Sequence, residues 1–303
     1  MAYQLDLNTE DLRIFLNLIR ERNFTKVARL HHLTQPAISS RLRQLEESLG
    51  VKLFSRKPRQ VEPTAEGEML IPYAEAVLEK TGILRNAIAE MKGKIEGEVR
   101  IATTYSLGMY ALNNAIRQII SCYPDIHLQV QYKRSDVIYE LLRKGKVDLG
   151  LIAFPTASDD IAVQPCGKDR LTLVVASSHH LAGKKIIEIK EIAGEPFVGF
   201  DTSLATGRII MDYLQQNNVA VSARLLDANV DVLKRAVEAG LGIAFLPFGS
   251  VREEINIGSL IAIPVKNFSL ERPLGLIYST KRPLSRSWQL VMQQFAELGH
   301  LLN

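Results

Sequence analysis

Between residues 9 and 64, three short runs with apolar residues at helical spacing are followed by a basic hairpin, and this order restricts the fold more than any other feature of the 303-residue chain. Thr9-Glu10-Asp11-Leu12 opens the first helix, with a hydroxyl to cap it and acidic residues in the first turn, where the helix dipole favours them. Leu12, Phe15, Leu16 and Ile19 then form one apolar face. Asn23 is placed to cap a second helix carrying Phe24, Val27, Ala28 and Leu30, and His31 and His32 read as surface residues of a tight turn. Thr34 caps a third helix whose apolar residues, Ala37, Ile38, Leu42, Leu45 and Leu49, run to a stop at Gly50. Pro36 is tolerated because a first-turn N–H has no helical partner to lose.

With those apolar residues turned inward, Gln35, Ser39, Ser40, Arg41 and Arg43 fall on or near the outer faces, and no acid precedes Glu46. Gln reads adenine in a bidentate way, Arg reads guanine, and Ser bonds to bases or phosphates. Residues 51–64 read as a strand, a basic turn and a short return strand, with Arg56, Lys57 and Arg59 placed to meet backbone phosphates or the minor groove. The prediction is a winged helix-turn-helix over residues 1–64 that binds double-stranded DNA through Thr25, Thr34, Gln35, Pro36, Ser39, Ser40, Arg41, Arg43, Arg56 and Arg59. Solvation explains any one of these residues; it does not explain their order. Charge agrees: residues 1–64 carry 11 Lys/Arg against 7 Asp/Glu, whereas the rest of the chain is balanced, so the whole net charge of +4 sits in this segment.

The run from Leu12 to Gly67 resembles the LysR-type transcriptional regulators. The residues that carry the resemblance are Leu33-Thr34-Gln35-Pro36-Ala37-Ile38-Ser39, Leu45-Glu46, Leu49-Gly50, Leu53-Phe54-Ser55-Arg56 and Thr64-Ala65-Glu66-Gly67. The resemblance implies that Gln35, Pro36 and Ser39 approach bases or nearby phosphates, and that Arg56 contacts the backbone from the wing. Many members have Arg directly after the position of Ser39; here Ser40 stands there and Arg41 follows, which leaves open which arginine reads a base.

Over residues 65–92, Met69, Tyr73, Val77, Leu84, Ile88 and Met91 recur at helical or heptad-like intervals. A long helix with such a stripe must pack on a partner. Either the chain's own C-terminal part covers it, or a second copy does; the resemblance implies antiparallel pairing in a homodimer and favours a homotetramer, with RNA polymerase as a further partner. Pro72 either kinks this helix or ends a short first turn.

Residues 93–303 alternate between strand-like and helix-like segments, which predicts α/β layers with largely parallel sheets. Strands are expected at 99–103, 127–132, 147–153, 171–176, 197–200, 223–226, 242–246 and 274–278, and helices at 107–122, 136–144, 205–216, 230–239 and 285–298. Two sets of elements imply two lobes, lobe I at about 97–164 and 268–303 and lobe II at about 168–263, joined by crossovers near 164–168 and 263–268. LysR-type effector domains, which look like periplasmic solute-binding proteins, have this form. Two strand-to-helix turns are rich in hydroxyls: Thr103-Thr104-Tyr105-Ser106, and Asp201-Thr202-Ser203. Facing each other across a cleft they would hold a small anionic effector, with Lys133, Arg134 or Arg208 as charge partner; separately they are ordinary helix caps. Asn229 reads as another cap, and Asp148 as the end of a turn.

Cys122 and Cys166 are too few for a disulfide framework and read as two buried, inert thiols of a cytoplasmic protein, with a redox-switch pair as the alternative. The six histidines show no metal-ligand spacing, no phosphate loop or nucleophile–base arrangement appears, and no apolar run reaches the roughly 18 residues of a membrane span. No enzyme activity, cofactor or metal is therefore expected. The competing reading is a solute-binding or enzymatic α/β domain whose fused helix-turn-helix serves protein contacts.

Overall fold

The computed structural model describes residues 7–55, 61–91 and 95–296. The chain divides into two compact units, Met1–Ile88 and Ala89–Asn303. No helix among the described residues is long and apolar enough to cross a membrane.

The first unit is built from α1 (Thr9–Glu21), α2 (Phe24–Leu30), α3 (Gln35–Leu49) and most of α4 (Ala65–Met91). Its cap differs by one residue from the expectation: Asn8, not Thr9, accepts the Glu10 N–H, at 2.9 Å. Asn23 caps α2 through the Lys26 N–H at 3.0 Å, and Thr34 caps α3 through the Ala37 N–H at 3.4 Å. Gly50 ends α3 at φ 70°, a left-handed conformation that suits glycine. Leu12, Phe15, Leu18, Val27, Ile38, Leu42 and Leu45 fill the core these helices share, joined by Leu53, Phe54 and, from α4, Ala74. His31 is not a surface residue: its side chain is 9% exposed, accepts from Asn17 Nδ2 at 2.9 Å and donates from Nδ1 to Glu10 at 2.8 Å. α4 runs unbroken through Pro72. Its Leu70, Ile71 and Leu78 turn to the core, while Met69, Tyr73, Val77, Leu84, Ile88 and Met91 are all exposed, Met91 at 87%.

The second unit has two lobes. In lobe I, β1 (Gly97–Thr103) lies between β2 (Ile126–Tyr132) and β3 (Leu149–Ala153), all parallel, with α5 (Tyr105–Tyr110), α6 (Leu112–Cys122), α7 (Ser135–Arg143) and α11 (Arg286–Ala296) around them. The helix expected over 107–122 is thus two, divided at Ala111. β4 (Ile161–Ala176) and β9 (Glu271–Ser279) are antiparallel crossover strands, so the sheets are mixed. β4 pairs β9 along 161–170 and then pairs β7 (Ala244–Pro247) and β8 (Leu260–Ile263) along 171–176, in lobe II. The sequence reading missed the first ten residues of β4, whose intermittent burial hides its period; it also missed β8 and α10 (Phe248–Ile257). The second crossing is made by β9, beyond the expected 263–268. Lobe II is completed by parallel β5 (Pro196–Phe200) and β6 (Ser222–Asp227), with α8 (Ala205–Gln216) and α9 (Val230–Glu238).

Asp148 does more than end a turn. It is 3% exposed and accepts from the Arg100 backbone N–H at 2.8 Å, from Arg100 Nη2 at 2.6 Å and from Arg282 Nη1 at 2.9 Å, tying β1 to the approach of β3 and to the segment after β9. The cysteines also part company. Cys166 is buried in the lobe I core and burial pushes its thiol up to about 11, but Cys122, at the end of α6, is exposed. One thiol per native chain should react quickly with a disulfide reagent at neutral pH and the second only on unfolding; two equally fast equivalents would contradict this arrangement.

Candidate functional site

Capping sets which face α3 shows to solvent. Starting the helix at Thr34 puts Ile38, Leu42 and Leu45 in the core, so Thr34, Gln35, Pro36, Ser40 and Arg43 are exposed and Ser39 is half-buried. From α2, the exposed Thr25 hydroxyl donates to the Gln35 side-chain carbonyl at 3.4 Å, steadying the residue at the tip of α3. The two arginines are not equivalent. Arg41 is held against α1 by a 3.0 Å ion pair with Asp11, whereas Arg43 has no hydrogen-bond or ion-pair partner among the described residues. Arg43, Ser39, Leu42, Glu46, Lys52 and Ser55 line a cavity of about 500 Å³ between α3 and the segment that follows it.

That segment begins the wing. Ser55 N–H donates to Glu62 O at 2.9 Å, Thr64 N–H to Leu53 O at 3.0 Å, and Phe54 bridges Pro63 in antiparallel fashion. Arg56 and Arg59, with Lys57, lie outside the described residues. Sequence reasoning overlooked the base of this hairpin. Glu46, 9% exposed on the inner face of α3, accepts the Leu53 N–H at 2.8 Å, the Phe54 N–H at 3.4 Å and Lys52 Nζ at 2.6 Å. A buried acid on a helix face is the available signal, since it needs several donors to stay charged. At the other side, a Cβ on Gly67 would meet Leu53 O at 2.2 Å, so only glycine lets α4 start against the base of the wing.

In the second unit, β1 and β2 end side by side: Thr103 pairs with Tyr132, and Lys133 N–H donates to Thr103 O at 2.9 Å. Thr103 itself is fully buried and donates to Leu151 O at 3.0 Å. Thr104 is half-buried at the start of α5, with no side-chain capping bond; Tyr105 is exposed and stacks on Tyr132 at 5.6 Å. Ser106 is buried and accepts from Arg272 at 3.3 Å. In lobe II, Asp201 accepts the Ser203 N–H at 2.7 Å; bonds from Ser203, and then the charge of Arg134, hold its carboxyl below the usual range. Thr202 and Ser203 are exposed, and Arg208 folds back onto Ser203 O at 2.8 Å. Arg134, next to Lys133, reaches from lobe I to the Ser203 hydroxyl of lobe II at 3.0 Å. The two hydroxyl-rich turns therefore flank Lys133-Arg134, and five of the seven predicted residues, Thr104, Tyr105, Asp201, Thr202 and Ser203, present surface there.

A DNA-reading helix with a wing, followed by a two-lobed ligand-binding domain, defines a ligand-responsive regulator. Residues 9–68 match the family described as bacterial regulatory helix-turn-helix protein, lysR family, and residues 92–299 match the LysR substrate binding domain. The chain belongs to the LysR-type transcriptional regulators: it is a DNA-binding transcription regulator with an effector-binding domain, in a family of regulators and not of enzymes. The HTH-type transcriptional regulator CysL of Bacillus subtilis (strain 168) is 26% identical over 268 residues, covering 88% of this chain and 90% of CysL. Full-length CbnR complexed with its target DNA has the same fold, with a TM-score of 0.69 at 17% identity over 98% of this chain and 100% of CbnR. So has the regulatory domain of Synechocystis PCC6803 CcmR in complex with 2-PG, with a TM-score of 0.60 at 20% identity over 68% of this chain and 97% of that domain.

Proposed function

We propose that this regulator binds DNA as a homodimer through α3 and the wing, and that a small anion held between the two lobes changes that binding. The observation that carries the anion is the Arg134–Ser203 bond between lobes at 3.0 Å, beside Lys133, whose ammonium group has no hydrogen-bond or ion-pair partner among the described residues. Two cations and the hydroxyls of Thr104 and Ser203 favour a carboxylate, sulfate or phosphate. A ligand that bridges the lobes acts by binding one arrangement of them more tightly than the other. The complex of CcmR with 2-PG supports a small ligand in this fold. The exposed stripe of α4 supports pairing with a second copy, with a homotetramer as the full assembly.

The deciding experiment is a melting and footprinting survey with small anions on the wild type and Arg134→Ala. One anion class should raise the melting temperature and alter the footprint of the wild type, and do neither in the variant. No response to any carboxylate, sulfate or phosphate ester would sink the proposal. On the DNA side, Gln35→Ala should relax sequence preference, while Arg56→Ala should weaken binding to all sequences and reduce the salt slope by about 1. Arg43→Ala should cost roughly tenfold in specific affinity, the worth of a base contact, and Arg41→Ala should instead lower stability. Equal losses of specificity from both arginines would refute the division between them.

A further inference from the structure

Beyond the end of β4, consecutive turns wind residues 177–184 back on themselves: His179 N–H donates to Ala176 O at 3.0 Å, Ala182 N–H to His179 O at 2.9 Å, and Lys184 N–H to Leu181 O at 2.9 Å. Leu181, 3% exposed, anchors the turn in the lobe II core. The His179 and His180 rings are thereby set side by side, with centroids 4.5 Å apart. Glu195, the residue before β5, meets both of them. Its Oε1 lies 2.8 Å from His180 Nε2 and its Oε2 lies 3.5 Å from His179 Nε2. One ligand atom from each of the three residues falls within 4.8 Å of the others. His179 and Glu195 are largely enclosed, with side chains 16% and 17% exposed, and His180 is open to solvent at 65%.

We propose that His179, His180 and Glu195 form a binding site for a divalent transition-metal ion of the zinc class. A hydrogen-bonded His–Glu pair needs only one ring, and 3.5 Å is too long for the second to make a good bond of its own. Both rings instead present Nε2 to one carboxylate. Ligand atoms held at zinc distances around a tetrahedral ion lie about 3.3 Å apart; here one ligand atom from each residue lies within 4.8 Å of the others, close enough for side-chain adjustment to gather them on an ion. Two imidazoles with a carboxylate suit zinc, cobalt, nickel or copper better than magnesium or calcium, which prefer oxygen alone. Metallation at His179 Nε2 would place that ring's proton on Nδ1 and exchange away only the long 3.3 Å bond from the Leu181 N–H. The fourth position opens beside His180, where water completes the shell.

The site is independent of the anion cleft. Glu195 and Asp201 stand at opposite ends of β5, about 20 Å apart at the rise of an extended strand. A bound ion would staple the turn after β4 to the entry of β5 and stabilise the folded state by mass action.

Tag-free full-length protein titrated with zinc chloride by calorimetry in a non-chelating buffer tests this. The expected result is one ion per chain at low-micromolar or tighter affinity, with a rise in melting temperature that EDTA abolishes. His180→Gln and Glu195→Gln should each lower the affinity by at least the roughly tenfold that even an outer partner of a metal is worth; both variants should keep the EDTA-treated melting temperature of the wild type. His32→Gln should bind as the wild type does. Absence of binding at micromolar zinc, or one-to-one binding that survives both ligand substitutions, would overturn the assignment.

Discussion

Replacing Asp169 with Ala is expected to cost about 3–5 kcal/mol, because it strands a buried arginine. Asp169 on β4 and Arg272 on β9 stand directly opposite each other where the two crossover strands pass between lobes. Both residues are 2% exposed and they form an ion pair. The pair is imperfectly satisfied: Asp169 Oδ1 and Arg272 Nε have no hydrogen-bond partner among the described residues, and the one further bond of Arg272 is to the Ser106 hydroxyl at 3.3 Å. Desolvation has therefore been only partly offset, and removing the carboxylate leaves the guanidinium with almost nothing. Trp288, the only tryptophan, lies in the core that Leu274, Leu276 and Cys166 share, so its fluorescence reports the loss in a urea titration. Replacing both partners together, Asp169→Leu with Arg272→Met, should recover most of the stability, since apolar side chains of similar volume carry no desolvation cost. An unchanged urea midpoint in Asp169→Ala, or a double variant no better than the single one, would show that the charge pair is not what holds this crossing.

Glu46→Ala comes next, at about 2–3 kcal/mol, the value of hydrogen bonds to a charged, buried acceptor. The substitution leaves the Leu53 and Phe54 N–H groups without the acceptor they share and releases Lys52. Glu46→Gln keeps one acceptor and should lose less. DNA affinity should fall in Glu46→Ala even at temperatures where circular dichroism shows the helices intact, because α3 and the wing are then no longer held in one register. Full DNA affinity in a folded Glu46→Ala protein would mean that the wing finds its place without this anchor.

The helices of the first unit were legible because each carries its own stop and start: Asn23 and Thr34 cap, Gly50 terminates, and apolar residues between them follow a single period. In the second unit, short strands with both faces covered, such as β3 and β5, also announced themselves. Where one segment serves two environments, the period fails. β4 passes from lobe I to lobe II within 16 residues, and its inward positions change face on the way. α5 and α6 merged in the sequence because the break at Ala111 involves neither glycine nor proline.

Residues 9–64 by themselves determined a helix-turn-helix with a basic wing, since capping, apolar spacing and charge are local properties of the chain. Which arginine that helix leaves free was decided only in three dimensions: Arg41 and Arg43 differ by the position of Asp11, thirty and more residues away on α1. The same holds for Glu46, whose role depends on the segment that folds back beneath it, and for Asp169, whose partner lies 103 residues on. It holds again for Glu195, carried to His179 and His180 by the turns after β4. Polar groups acquire their chemistry from partners that meet only when the chain closes, and spacing along a sequence does not record those meetings.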